Sequence, residues 1–295
     1  MKKCIACPIK SLVNRAFHPS ATPHKANKIK WLISTLIGAV ACAGIYKATK
    51  HKQEKARKAG KHVPYGPYEA LFKRPMDAVL GVLALIVLSP VLLIIEILVR
   101  VNLGSPVVFK QERPGKDEKI FTMYKFRTMT DKKDENGNLL PDEERLTDFG
   151  KRLRASSADE LGELVNIIKG DMAIVGPRPQ LIRDMVFMND MQRRRHSVRP
   201  GLTGLAQVMG RNSITWDEKF LWDLKYIDNI SFVNDIKILW LTFRKVFGKN
   251  ESNDEIEITD DYGDWLLSEG MVTQLEYAKL QKKAKQLTER FNHLN

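Results

Sequence analysis

The sequence predicts a mainly helical α+β protein attached to a membrane, on three observations. The run from Met76 to Val99 is almost wholly apolar and long enough, at about 36 Å of helix, to reach through a hydrocarbon core of ~30 Å. Beyond Asn102, short runs of β-like composition are interspersed with apolar patterns of helical period. The formal charge of +13 is also lopsided: residues 1–74 hold 16 Lys and Arg against only Glu54 and Glu69, so that stretch is +14 and the remainder −1.

The N-terminal 70 residues read as a basic extension. Lysines flank an apolar segment there, and an anionic leaflet offers roughly 1 kcal/mol per Lys or Arg, so a membrane surface is the favoured partner over nucleic acid. The apolar segment, residues 31–46, reaches roughly 24 Å as a helix, which fits a short span or a surface anchor. Seven Lys and Arg precede it and seven follow up to Lys61, so the positive-inside rule assigns it no orientation. A cleaved leader is not expected, with about thirty residues ahead of the run and a lysine-rich stretch behind it. Cys4, Cys7 and Cys42 are too few for a disulfide framework, and the Cys4-Cys7 spacing lacks the second ligand pair of a zinc site. Pro64-Tyr65-Gly66-Pro67 then breaks the chain, giving a boundary near residue 70.

Residues 71–100 form the membrane segment. Ser89-Pro90 sits just past the middle of the apolar run, where proline removes a helical hydrogen bond and imposes a kink. Lys73 and Arg74 precede the run and Arg100 follows it, so both ends suit the same anionic surface. A re-entrant hairpin of two half-helices and a kinked spanning helix fit these residues equally well.

Residues 101–248 read as a soluble domain of mixed α and β structure. The segments Val107-Val108-Phe109 and Ile120–Tyr124 suggest strands joined through Arg113-Pro114-Gly115-Lys116, and Asp134–Pro141 a polar loop. Helical patterns follow at Ala158–Lys169, Gln180–Arg195, Thr215–Ile227 and Ile236–Val246. Residues 249–295 form a tail, acidic from Glu251 to Asp264 and helical in pattern from Thr273 to His293.

Ser157-Ala158-Asp159-Glu160 opens a helical pattern and reads first as a capping box, with Ser157 accepting from the third helical amide and Glu160 reaching back. A second reading is compatible: an aspartate in a first helical turn is helped to stay ionised by the dipole, and an ionised carboxylate can attack phosphorus. Cations and tight turns suited to phosphates surround it in sequence, at Lys125-Phe126-Arg127, Arg152, Arg154, Gly176-Pro177-Arg178-Pro179, Arg199–Gly204 and Gly210-Arg211-Asn212. Each alone is an ordinary solvated charge or turn. No Walker loop, dinucleotide fingerprint or Ser-His-Asp arrangement competes.

Taken together, these segments resemble the monotopic phosphoglycosyl transferases, or bacterial sugar transferases. The resemblance covers Tyr68 to Gly248 and rests on ordered motifs: Lys73–Asp77, Ser89-Pro90, Gln111–Gly115, Lys125–Met129, Asp159-Glu160-Leu161, Gly170-Asp171-Met172, Gly176–Pro179 and Arg199–Gln207. It implies a monotopic protein whose membrane helix re-enters at Ser89-Pro90, both ends cytoplasmic, with the catalytic domain on the cytoplasmic face of the bacterial inner membrane. It implies a UDP-sugar donor, a polyprenol (undecaprenyl) phosphate acceptor and Mg²⁺. Asp159 would be the nucleophile, with Glu160 its metal or acid/base partner and both as candidate metal ligands. Lys125, Arg127, Arg154, Arg178 and Arg211 would be substrate-binding cations, Arg154 and Arg211 foremost. Ser89, Pro90 and Asp171 would support the site structurally.

The sequence departs from the family's usual Ser-Leu-Asp-Glu-Leu-Pro-Gln in having Ala158, Gly162 and Glu163, and Met209 stands where asparagine often precedes Gly-Arg-Asn. The extension and the tail lie outside the resemblance and are open to anchoring, homo-oligomerisation or regulation. The alternatives are an inactive membrane scaffold, against which the intact Asp159-Glu160 argues, and a nucleic-acid binder, against which the net −1 of the remaining chain argues.

Overall fold

In the computed structural model, which describes residues 62–64, 66–210, 214–247 and 261–294, the apolar run forms one long helix, α1 (Lys73–Leu103), entered through a π-helical turn at Tyr68–Phe72. The segment 31–46, the three cysteines, Arg211 and most of the acidic stretch of the tail lie outside the described residues.

Helical hydrogen bonding runs through Pro90 where two half-helices were expected. Proline cannot donate to the Ile86 carbonyl four residues back; the Ser89 hydroxyl does so instead, at 2.8 Å. The Ser-Pro pair thus removes one backbone donor and supplies its replacement, as an apolar environment requires.

One stripe of α1 packs on the domain in two stretches, 77–88 and 95–103, with the turns around Ser89-Pro90 exposed between them. Gly81, Ile95, Val99 and Leu103 are buried, and Ala84, Leu85 and Leu88 pack against Phe121, Met123, Leu164, Ile167 and Met172. The opposite face, including Val79, Leu83, Ile86, Val87, Ile94 and Ile97, is exposed. Among the described residues, Tyr68–Leu103 is long and apolar enough to cross a membrane by length and composition. Polar contacts fix its N-terminal end: Arg74 donates to the Ile167 and Ile168 carbonyls at 2.8 Å each, and Lys73 lies 2.5 Å from Asp235.

The two expected strands form an antiparallel hairpin, β1 (Val108–Pro114) with β2 (Ile120–Phe126), in register from Val108↔Phe126 to Pro114↔Ile120. Its turn holds Asp117 and Glu118 at φ of 56° and 59°, left-handed positions unusual for side-chain-bearing residues. β2 turns Phe121 and Met123 into the core. Next come α2 (Asp148–Ala155), a 3₁₀ turn (Ala158–Glu163) and α3 (Leu164–Lys169). Two strands that the sequence pattern does not reveal, β3 (Ala173–Val175) and β4 (Gly201–Thr203), pair in parallel.

Gln180–Arg195, expected as one helix, is instead two single-turn helices, Ile182–Met185 and Asp190–Arg193, followed by a 3₁₀ turn. Buried α4 (Trp216–Ile227) and α5 (Phe232–Phe247) side chains close a core of Val175, Val198, Tyr226, Ile227 and Ile238. The tail forms α6 (Tyr262–Ser268) and α7 (Gln274–Leu294), which bury Tyr262, Leu266 and Ala284.

Candidate active site

The site is built where the 3₁₀ turn meets the end of β2 and the Gly176–Pro179 loop. Gly162 allows the close approach: a Cβ there would sit 2.8 Å from the Tyr124 carbonyl oxygen, so the turn can lie on β2 only with glycine at that position.

The capping reading of Ser157 is overturned. Its φ of 55° is left-handed, it makes no side-chain cap hydrogen bond, and a 3₁₀ turn follows it in place of a continuous α-helix. Glu160 does not reach back to it. Instead its Oε1 takes both Lys125 Nζ at 3.0 Å and Arg178 Nη2 at 2.6 Å. In a 3₁₀ turn residues three apart eclipse, which brings Glu163 onto the same cation, 3.1 Å from Lys125 Nζ.

Asp159 is 8% exposed, and no hydrogen bond or ion pair joins its carboxylate to another described residue. Burial pushes its carboxyl above the ordinary range; Lys125, Arg178 and Arg154 pull against this and Glu160 adds to it. Glu160 goes the other way. Burial would raise it, but Arg178 and Lys125 together hold it well below the usual carboxylate range. Glu163, buried and beside Glu160, is pushed up despite Lys125. Adjacent carboxyls thus differ in kind, one fixed as a charge by cations and the other buried without a hydrogen-bond partner among the described residues.

The remaining expected residues divide. Arg178 keeps 41% of its side chain exposed and so can meet a solute while holding Glu160. Arg154 donates from Nε to Thr128 at 3.0 Å and acts on Asp159 electrostatically. Arg127 is not brought into this cluster: it is buried, and its nitrogens serve the Met129 carbonyl at 2.7 Å, the Ser105 carbonyl at 3.0 Å and Asp131 at 2.6 Å, bracing the chain after β2. Asp171 lies 3.3 Å from Asn166 Nδ2. Asn166, fully buried, also donates to the Thr122 carbonyl and accepts from the Tyr124 amide, clasping α3 to β2. Sequence reasoning noted Glu163 only as a departure from a family pattern, and passed over Asn166 and Thr128. The three-residue spacing from Glu160 was the signal for Glu163.

A long apolar helix seated along an α+β domain, with a buried acidic pair under converging cations, defines a membrane-associated protein equipped to handle an anionic substrate. The model of the family described as bacterial sugar transferase matches residues 68–249, more than half of the chain, and the chain belongs to that family. An uncharacterized sugar transferase, EpsL, of Bacillus subtilis is 51% identical over 176 residues, covering 60% of this chain and 87% of its own length. The galactosyl transferase CpsE of Streptococcus agalactiae is 37% identical over 188 residues, 59% of this chain and 42% of its own. A UDP-glucose:undecaprenyl-phosphate glucose-1-phosphate transferase of Klebsiella pneumoniae is 36% identical over 198 residues, 62% of this chain. The chain spans less than half the length of these last two relatives.

Proposed function

We propose that this protein transfers a sugar-1-phosphate from a UDP-sugar to undecaprenyl phosphate, starting the assembly of a lipid-linked glycan. The observation that carries the reading is the buried Asp159 carboxylate, without a hydrogen-bond partner among described residues, next to Glu160 clamped by Lys125 and Arg178. The names of the Klebsiella and Streptococcus relatives support the sugar-transferase chemistry.

In the first step an Asp159 oxygen attacks the sugar-linked phosphorus; the new O–P bond forms as the bond to the uridine monophosphate oxygen breaks, and UMP leaves with that electron pair. In the second, an oxygen of undecaprenyl phosphate attacks the same phosphorus and Asp159 departs as carboxylate. A covalent intermediate lets one soluble and one lipid substrate use one site in turn. Phosphoryl transfer asks chiefly for positioning and charge neutralisation, which Lys125, Arg154 and Arg178 offer.

Mg²⁺ fits the donor set. Both cations take Glu160 Oε1, leaving Oε2 and the Asp159 carboxylate as hard oxygen ligands. Among the described residues no three His, Cys, Asp or Glu gather to hold an ion alone, so donor phosphate oxygens would complete the shell. When bound, the ion would neutralise diphosphate charge.

The domain is proposed to lie on the cytoplasmic face with α1 re-entrant. Supporting this, both halves of α1, on either side of Ser89-Pro90, rest on the same domain, as a helix that enters and leaves by one face would. On α5, Phe232, Val233, Ile236, Trp240 and Phe243 are also exposed at helical spacing, as an interfacial helix would be.

Membranes carrying the protein, given undecaprenyl phosphate and a panel of UDP-sugars, should release UMP with at least one donor, stop with chelator and resume with Mg²⁺. Release with no donor would overturn the reading, and release indifferent to chelator would remove the metal.

A further inference from the structure

The tail helices α6 and α7 lie beyond the matched residues 68–249, yet they grip the segment that carries Arg178 from two sides. On one side the Tyr262 amide donates to Asp184 Oδ1 at 3.0 Å, while Asp184 Oδ2 accepts from the Leu181 amide at 3.1 Å. Arg183 pairs with Asp261 at 3.0 Å and with Asp264 at 2.5 Å, and Tyr277 donates to Asp264. On the other side the Tyr262 ring meets Phe220 edge-on, centroids 5.0 Å apart, and Trp216 at 5.2 Å. Phe220 in turn lies 5.9 Å under the Arg195 guanidinium. Arg195, fixed by Asp223 at 2.7 Å, donates to the Arg178 carbonyl at 2.6 Å.

We propose that residues 261–294 are a positioning strap for Arg178, holding its backbone so that its guanidinium stays on Glu160. Among the described residues no hydrogen bond or ion pair joins the strap to Glu160 or Asp159. It acts through Asp184 and Arg183 from the loop side and through Phe220 and Arg195 from the helix side. The proposal rests on the transferase reading for its effect on turnover, but its structural half stands apart from it.

Gly263 provides the means to test it. A Cβ there would lie 2.5 Å from the Phe187 ring, so Gly263→Leu in the full-length protein should lift α6, and Gly263→Ala is a milder form should the first fail to fold. Hydrogen exchange is the first measurement. With α6 undocked, seen as faster exchange over 262–268, the amide of Gly201, which donates to the Pro177 carbonyl beside Arg178, and that of Glu160 should exchange about tenfold faster while the β1–β2 hairpin is unchanged. Unchanged exchange at Gly201 and Glu160 with α6 undocked would overturn the strap.

The second measurement is UMP release in a double-mutant cycle with Arg178→Ala. Gly263→Leu should lower kcat about tenfold in the wild-type background and hardly at all beside Arg178→Ala. The same loss in both backgrounds would mean general destabilisation and overturn the proposal. If wild-type protein releases no UMP with any UDP-sugar, the transferase reading fails, and exchange alone still decides whether the tail positions Arg178.

Discussion

Arg178 and Glu160, 18 positions apart in sequence, meet at 2.6 Å, and the contact fixes one carboxyl of the acidic pair as a charge while leaving its neighbour Asp159 without a hydrogen-bond partner among the described residues. Removing the cation should therefore harm chemistry more than folding. Arg178→Ala is predicted to lower kcat/KM about ten- to a hundredfold, the loss of a charge-assisted contact of ~1.5–3 kcal/mol. Steady-state UMP release, with a melting curve as the folding control, checks this; wild-type efficiency would remove Arg178 from the site.

Gly162 should tolerate no side chain. Since a Cβ would crowd the Tyr124 carbonyl at 2.8 Å, Gly162→Ala must push the Asp159 turn off β2. Overpacking of this kind costs ~1–3 kcal/mol, and with Asp159 displaced the variant should lose at least about tenfold in turnover. Unfolding midpoints and UMP release measure the two effects, and an unaltered variant would show that the turn is not seated as described.

Much of this site was legible in the sequence, and the failures have physical causes. Lys125, Asp159, Glu160 and Arg178 were all candidates on motif and charge, and β-like runs on either side of Pro114-Gly115 marked the two strands, though not their pairing. Ser157 was misread because S-x-x-E marks a cap only when the serine is extended, and here its φ is left-handed. Arg127 looked like its neighbour Lys125, but the carbonyls of Ser105 and Met129 that claim it come together only in the fold. β3 and β4, three residues each, are too short to show alternation. Of the leucines that carried the helical pattern of α7, Leu280 and Leu287 pack against Ile182, Met185 and Val186, partners the sequence does not reveal, while Leu275 is exposed.

Stability should depend on pH through Glu118. His196, 3.7 Å away, and the two-pronged contact with Arg193 hold its carboxyl down to about 2, against burial. A depressed folded pKa contributes stability that is present above the unfolded value of ~4.3 and lost as pH falls toward 2. Glu118→Gln is thus predicted to destabilise by ~1–2 kcal/mol at pH 7, with the difference from wild type closing below about pH 4. Urea midpoints across pH would show it; a gap constant down to pH 2 would contradict the linkage.

The seating of α1 makes a topological prediction. Single cysteines placed at exposed Phe72, beside Lys73, and at Lys110 should both escape an impermeant thiol reagent in intact cells, measured in a background lacking the native cysteines. Labelling at one site alone would mean that the helix spans the bilayer.

The central claim is that Asp159 is a covalent nucleophile. An aspartate that merely supported its turn could be replaced by asparagine for ~1 kcal/mol or less, with turnover kept. A nucleophile could not, since an amide forms no acyl phosphate. The most direct measurement is mass spectrometry of the protein incubated with its UDP-sugar donor in the absence of lipid acceptor. The account predicts a phosphosugar mass on the peptide containing Asp159, labile to hydroxylamine and missing from folded, inactive Asp159→Asn; an adduct on another residue, or full turnover in that variant, would contradict it.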